Sequence, residues 1–189
     1  MSTDEDSSDL YTSAPVSVAS TYPNVPPPDP PLSPYILAAR WQSHDLYGED
    51  MPGIAADLLE AGHDTQSLRR LAGEMNVASS SDVELLVAKV FADLGVRYPL
   101  SETEANLICS RQVAREVIAG VRNAWAAASH LEIAIWGWTA SSPLLQAIFE
   151  INDEIDWDRK YRRPLVTLRA SLLDSFASLS CLTDQELIP

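Results

Sequence analysis

Beyond residue 34, apolar positions recur at helical spacing almost without interruption. The clearest stripe is Val83, Leu86, Val87, Val90, Phe91 and Leu94, closed by Gly95. Ser81 with Glu84 predicts a capping box at its start. Ser101 with Glu104 predicts a second one. It opens a helix through Ala119 with Ala105, Ile108, Cys109, Gln112, Val113 and Val117 along one side, ended by Gly120. Asn123 restarts a helix through Trp136 that is rich in alanine. Ser142 and Pro143 open another, bearing Leu144, Leu145, Ile148, Phe149 and Ile155, and Pro164 opens the last, with Leu165, Leu168, Leu172, Leu173, Phe176 and Leu179.

Three shorter helices precede these. Ser33 and Pro34 form an N-cap and N1 pair for a helix through about Tyr47, with Ile36, Leu37 and Trp41 inward. Pro52 opens a second carrying Ile54, Leu58 and Leu59 and stopping at Gly62. Asp64 or Thr65 caps a third with Leu68, Leu71, Ala72 and Met75 on its stripe, and Asn76 to Ser81 read as a loop. No polar–apolar alternation competes with these helices, so the expectation is all-α. Residues 35–189 form a single compact orthogonal or bundle-like domain of seven to eight short helices joined by short loops.

The first 34 residues differ in kind: they hold 8 of the 13 prolines and five acids, with no Lys, Arg or Gly. Six prolines in nine positions from Pro26 to Pro34 favour extended backbone, and few large aliphatics precede them. This composition predicts a disordered acidic, proline-rich tail whose removal leaves the fold intact.

The layout of Leu37-Ala-Ala-Arg-Trp41, Pro52-Gly-Ile-Ala-Ala-Asp-Leu-Leu59, Leu68-Arg-Arg-Leu71 and Val117-Ile-Ala-Gly120 resembles that of small bacterial all-helical proteins of unknown function, over most of residues 35–150. The resemblance implies a fold and no activity.

Charge narrows the function. The chain of 189 residues has a net charge of −14 and an isoelectric point near 4.4, against the phosphate neutralisation on which nucleic-acid binding rests. No apolar run is long enough to cross a bilayer, so no membrane is expected. Four acids and no base among the first nine residues do not make a secretory leader, and two cysteines do not make a disulfide scaffold. The expected setting is cytoplasmic.

Signals for chemistry are weak. Glu60 and His63 have metal-ligand spacing, yet a di-metal bundle needs a second such motif, and Gly62 ends the helix between them. Glu150, Asp153, Glu154, Asp156 and Asp158 lack the glycine and distal glutamate of a calcium loop. The bases Arg159, Lys160, Arg162 and Arg163 follow directly and can pair with them. Gly-x-Ser-x-Gly and a phosphate loop are both missing from the sequence, and Cys109 lies on an apolar stripe where a thiol is inert. No catalytic residue, metal site or cofactor is assigned. Trp136 and Trp138 lie two apart, so on a helix their rings diverge and one becomes a candidate exposed anchor.

The expected function is a non-enzymatic acidic helical protein-interaction module, an inhibitor- or immunity-type partner of a basic protein. Asp153, Glu154, Asp156 and Trp138 are its candidate partner-binding residues. The alternatives are a small carboxylate- or metal-dependent hydrolase centred on residues 150–158, and a structural or scaffold subunit.

Overall fold

In the computed structural model of the protein, the described residues are 11–134, 142–156, 164–183 and 186. They are all-α, with eight α-helices. In chain order these are α1 (Pro34–Gln42), α2 (Met51–Glu60), α3 (Gln66–Ala72), α4 (Glu84–Asp93), α5 (Glu102–Ala119), α6 (Ala124–Ala134), α7 (Pro143–Asp156) and α8 (Leu165–Ser180). The chain divides into two compact units, Asp29–Cys109 and the pair of segments Met1–Pro28 and Ser110–Pro189, with the division inside α5.

In the Asp29–Cys109 unit, α2 packs on α3 and α3 on α4. Pro34 and Pro52 sit in first turns, where a missing N–H costs nothing, as the sequence predicts. Thr65 rather than Asp64 caps α3: its Oγ1 accepts from Leu68 N at 3.2 Å, while Asp64 pairs with Arg69. The apolar stripe buries Ile36, Leu37, Trp41, Leu58, Leu68, Leu71, Val87, Val90 and Phe91. The Phe91 and Tyr98 rings stack obliquely, centroids 5.3 Å apart. Gly62 and Gly95 follow their helices at φ +95° and +77°, the left-handed backbone that stops a helix.

Four expectations fail here. Helix α1 stops at Gln42 rather than near Tyr47, because His44 turns left-handed at φ +59° and Arg40 is drawn back to Asp45 at 2.7 Å. Met75 lies beyond the end of α3 and is exposed, since Gly73 caps that helix. Leu86 is only half-buried. The Ser81–Glu84 box does not form: Ser79 and Asp82 form one instead around a 3₁₀ turn, Ser80–Asp82, and α4 begins after Val83 with no side-chain cap.

That turn has a tertiary reason. A preceding 3₁₀ turn, Gly48–Asp50, is held by Asp50, which accepts from Tyr47 N at 2.8 Å. The two turns are clasped by Gly48 N donating to Ser80 Oγ at 3.1 Å. A Cβ at Gly48 would sit 2.5 Å from Ser79 O, so only glycine permits the approach.

In the other unit, α6 packs on α7 and α7 on α8. Asn123 caps α6, its Oδ1 accepting from Trp125 N at 2.9 Å and Ala126 N at 3.0 Å. Leu145, Ile148, Phe149, Leu168, Leu172, Phe176 and Leu179 are buried, as the spacing predicts. Two arginines of α5 close the end of α8: Arg111 Nη1 donates to Leu182 O at 2.9 Å and Arg115 Nε to Ser180 O at 3.2 Å. Cations thus meet the carbonyls a helix C-terminus leaves bare.

Residues 11–28, which composition assigns to a tail, run along this unit. Val18 N donates to Ile118 O at 3.0 Å, Asn123 Nδ2 donates to Ser13 O and Oγ at 2.9 and 2.8 Å, and the Tyr22 hydroxyl donates to Asp174 Oδ1 at 2.7 Å. Gly120 follows α5 at φ +75°, and a Cβ there would lie 2.5 Å from Ser17 Cα. The segment is held by hydrogen bonds to α5, α6 and α8 rather than by burial, and its residues stay mostly exposed.

Candidate interaction surface

The acidic stretch proposed from sequence begins on α7. Asp153 is exposed, and Glu154 is half-buried with a bonding partner of its own. Glu150 is exposed and accepts from Gln146 Nε2 at 2.9 Å. Between them Asn152 turns inward, buried, donating to Glu132 Oε2 at 2.8 Å. The side chain of Asp156, and all of Trp136, Trp138, Trp157 and residues 158–163, lie outside the described residues. Of the tryptophans that are described, Trp41 and Trp125 are both buried core members.

The larger acidic surface lies elsewhere. Residues 29–109 carry thirteen acids against five bases, a net charge of −8. Four of those bases are committed to nearby carboxylates: Arg40 to Asp45 at 2.7 Å, Arg69 to Asp64 at 2.6 Å, Arg70 to Glu74 at 3.7 Å, and Arg97 to Glu104. Asp50, Asp82 and Asp93 are also occupied, the first two holding turn N–H groups and the third accepting from Ser67 Oγ at 2.6 Å. The Asp82 carboxyl is held below its usual range by the backbone N–H groups of Ser79 and Ala78. Left exposed, with no ion pair or hydrogen bond among the described residues, are Glu49, Asp57, Glu60, Glu84 and Glu102.

Two of these acids flank exposed apolar side chains. Tyr47 and Leu85 are 61% and 88% exposed; along the chain Tyr47 immediately precedes the first 3₁₀ turn, two residues before Glu49, and Leu85 follows Glu84 at the start of α4. The sequence did not single out this pair: Leu85 falls off the apolar stripe that the spacing selects, and no apolar period marks an exposed side chain as a contact.

The chemistry-bearing candidates separate. Glu60 ends α2 exposed, and His63 follows the left-handed Gly62. Among the described residues no three His, Cys, Asp or Glu side chains gather where they could hold a metal. Cys109 is near Ser43 Oγ at 3.7 Å, and burial pushes its thiol up to about 11, away from the thiolate. Cys181 is a free thiol at the surface. No helix among the described residues is long and apolar enough to cross a membrane.

No family model matches this chain, and neither a curated protein nor a solved structure is similar to it. Its function is therefore argued from its own residues.

One concave feature stands out in the unit of α6–α8. It is a cleft of about 240 Å³ between Ser13–Val16 on one side and the starts of α6 and α8 on the other. Trp125, Val117, Leu165 and Leu173 are among its apolar lining residues, and Arg122 and Arg169 line it as well. Among the described residues its lining contains no carboxylate, histidine or thiol.

Proposed function

We propose that the protein is a non-enzymatic, acidic helical interaction module that binds a basic protein partner in the cytoplasm, in the manner of an inhibitor or immunity protein. The observation that carries this reading is the set of five exposed, uncommitted carboxylates on residues 29–109, two of which, Glu49 and Glu84, are sequence neighbours of exposed Tyr47 and Leu85. Uncommitted carboxylates at a surface speed capture of a cationic partner, and an exposed aromatic–aliphatic pair supplies the desolvated contact that holds it. In the other unit, Asp153, Glu154 and Asp156 give α7 an acidic end of its own, and Trp138, which lies outside the described residues, stays a candidate anchor from the sequence. Two free cysteines support a reducing compartment.

Relocating charge tests the proposal. Glu49→Gln and Glu84→Gln combined with Ala56→Glu and Ala92→Glu, both exposed helix positions, keep the net charge at −14 and move the acids. The partner is first isolated from native extract at low salt, and its association is then followed by stopped flow. Recognition at this surface predicts an association rate at least several-fold slower for the relocated variant and steeply salt-dependent for the wild type. Tyr47→Ala with Leu85→Ala should instead speed dissociation. The triple variant Asp153→Asn, Glu154→Gln, Asp156→Asn measures the share contributed by α7. Equal rates for wild type and every charge variant, independent of salt, would reduce the acids to a solubility device.

A further inference from the structure

We propose that the cleft at the start of α6 and α8 binds a small organic monocarboxylate with a flat apolar body. The charge inventory is the starting point. Of the nine described bases, five are ion-paired, and Arg111 and Arg115 hold the end of α8. Among the described residues, only Lys89 and Arg169 have neither an ion pair nor a hydrogen bond, and Arg169 lines this cleft. On a chain of net charge −14, an uncommitted arginine lining a concavity with no carboxylate among its described lining residues is a local reversal of sign.

The second guanidinium sets the ligand's charge. Arg122 Nε lies 3.1 Å from Glu116 Oε2, so that pair is neutral overall, and a guanidinium has more N–H donors than one carboxylate contact uses. Counted over the described residues at the cleft, the net positive charge is therefore one. A monoanion is matched; a phosphate dianion is left half-compensated. Two guanidinium groups favour a planar carboxylate, whose two oxygens accept parallel N–H donors.

The apolar lining sets the body. Trp125 is buried and lines the cleft alongside Val117 and Leu173. Volume limits the size: a cavity of roughly 150 Å³ accommodates benzene. The 240 Å³ here leaves room for one ring and a short acid-bearing arm. The opposite wall is held in place, since Asn123 donates to both the carbonyl and the hydroxyl of Ser13 at 2.9 and 2.8 Å.

The test titrates the full chain with phenylacetate and reads amide and indole shifts by ¹H–¹⁵N correlation spectroscopy. Phenylacetamide serves as the neutral isostere and phenyl phosphate as the dianion. The proposal predicts saturable shifts centred on Arg122–Trp125 and Arg169. Binding should be at least tenfold weaker for the amide and for Arg169→Gln, with partial recovery in Arg169→Lys, because a charge-assisted contact is lost and then half restored. Arg169 is exposed, so its variants keep the fold. No saturable shift at the cleft, or equal binding by wild type and Arg169→Gln, overturns the site. Phenyl phosphate binding as tightly as phenylacetate overturns the monocarboxylate assignment.

Discussion

Replacing Gly120 by alanine adds one carbon atom at the place where residues 16–17 cross the end of α5. Two costs follow, and they can be separated. Gly120 has φ +75°, where an L-residue is disfavoured by about 1–2 kcal/mol. The new Cβ would also lie 2.5 Å from Ser17 Cα and 2.8 Å from the carbonyl carbon of Val16, closer than atoms pack, so the segment must lift. Lifting it puts at risk the Val18–Ile118 hydrogen bond and those of Asn123 and Tyr22, each contributing about 1 kcal/mol net. Gly95 isolates the first cost, since it has φ +77° and nothing within 4 Å of an added Cβ. Gly95→Ala should cost about 1–2 kcal/mol and Gly120→Ala about 2–4 kcal/mol.

Urea melts of the two single variants give the difference, and the same pair made in a chain lacking residues 1–25 completes a cycle. Without the segment the steric cost disappears, and the two glycine replacements should become equal. Tyr22→Phe supplies an independent check by removing one of the segment's bonds without touching Gly120. If Gly120→Ala costs no more than Gly95→Ala in the full chain, the segment does not lie across α5. That outcome belongs to the unstructured tail that the proline-rich composition predicts.

Leu172, fully buried on α8, should lose about 2–5 kcal/mol on replacement by alanine, whereas half-buried Leu86 should lose less than about 1.5 kcal/mol; denaturant melts rank the two. Iodoacetamide at pH 8 should label exposed Cys181 and spare Cys109, whose thiol is pushed up to about 11, until the chain is unfolded; mass spectrometry of the peptides reads the outcome. Burial, and then the hydrogen bond to Asp174, raise the Tyr22 hydroxyl to about 12 from its ordinary 10. A raised value means that the folded chain holds this proton more tightly. The stabilisation is complete below pH 10 and lost as pH rises toward 12, a loss that Tyr22→Phe should abolish in alkaline melts.

The long helices were legible because their signals are local. The Ser101 hydroxyl accepts from Glu104 N at 3.2 Å, as the cap motif requires, and of the leucines that the spacing selects on α7 and α8, Leu145, Leu168, Leu172 and Leu179 are buried while Leu144, Leu165 and Leu173 are half-buried. The same motif misled where two registers competed. Ser79-x-x-Asp82 and Ser81-x-x-Glu84 both have cap spacing. The first prevails because Asp82 also takes Ala78 N and because Ser80 is drawn to Gly48, 32 residues earlier. The half-capping at Ser101 has a similar origin: the Glu104 carboxylate turns from the backbone to Arg97 and is buried there. Residues 11–28 were illegible for the opposite reason. Their partners lie about a hundred residues away and their bonds are mostly backbone and hydroxyl groups, which no apolar period encodes.

The division of the acids follows from sequence distance. Asp45, Asp64 and Glu74 lie within five residues of their arginines, and Asp50 and Asp82 cap turns three or four residues long. Such pairs close cheaply in chain entropy and contribute little each, because both partners face water. Their larger effect is subtraction. By occupying the arginines of residues 29–109 locally, they leave Lys89 as the one uncommitted cation there, so Glu49, Asp57, Glu60, Glu84 and Glu102 face solvent with almost nothing to screen them. A chain selected only for solubility could scatter uncommitted charges of both signs. Here the arginines of residues 29–109 are paired off, and two of the remaining acids, Glu49 and Glu84, lie within two residues of exposed Tyr47 and Leu85 along the chain; on the function proposed above, the acids would give a cationic partner a field to follow and the apolar side chains a contact to close on.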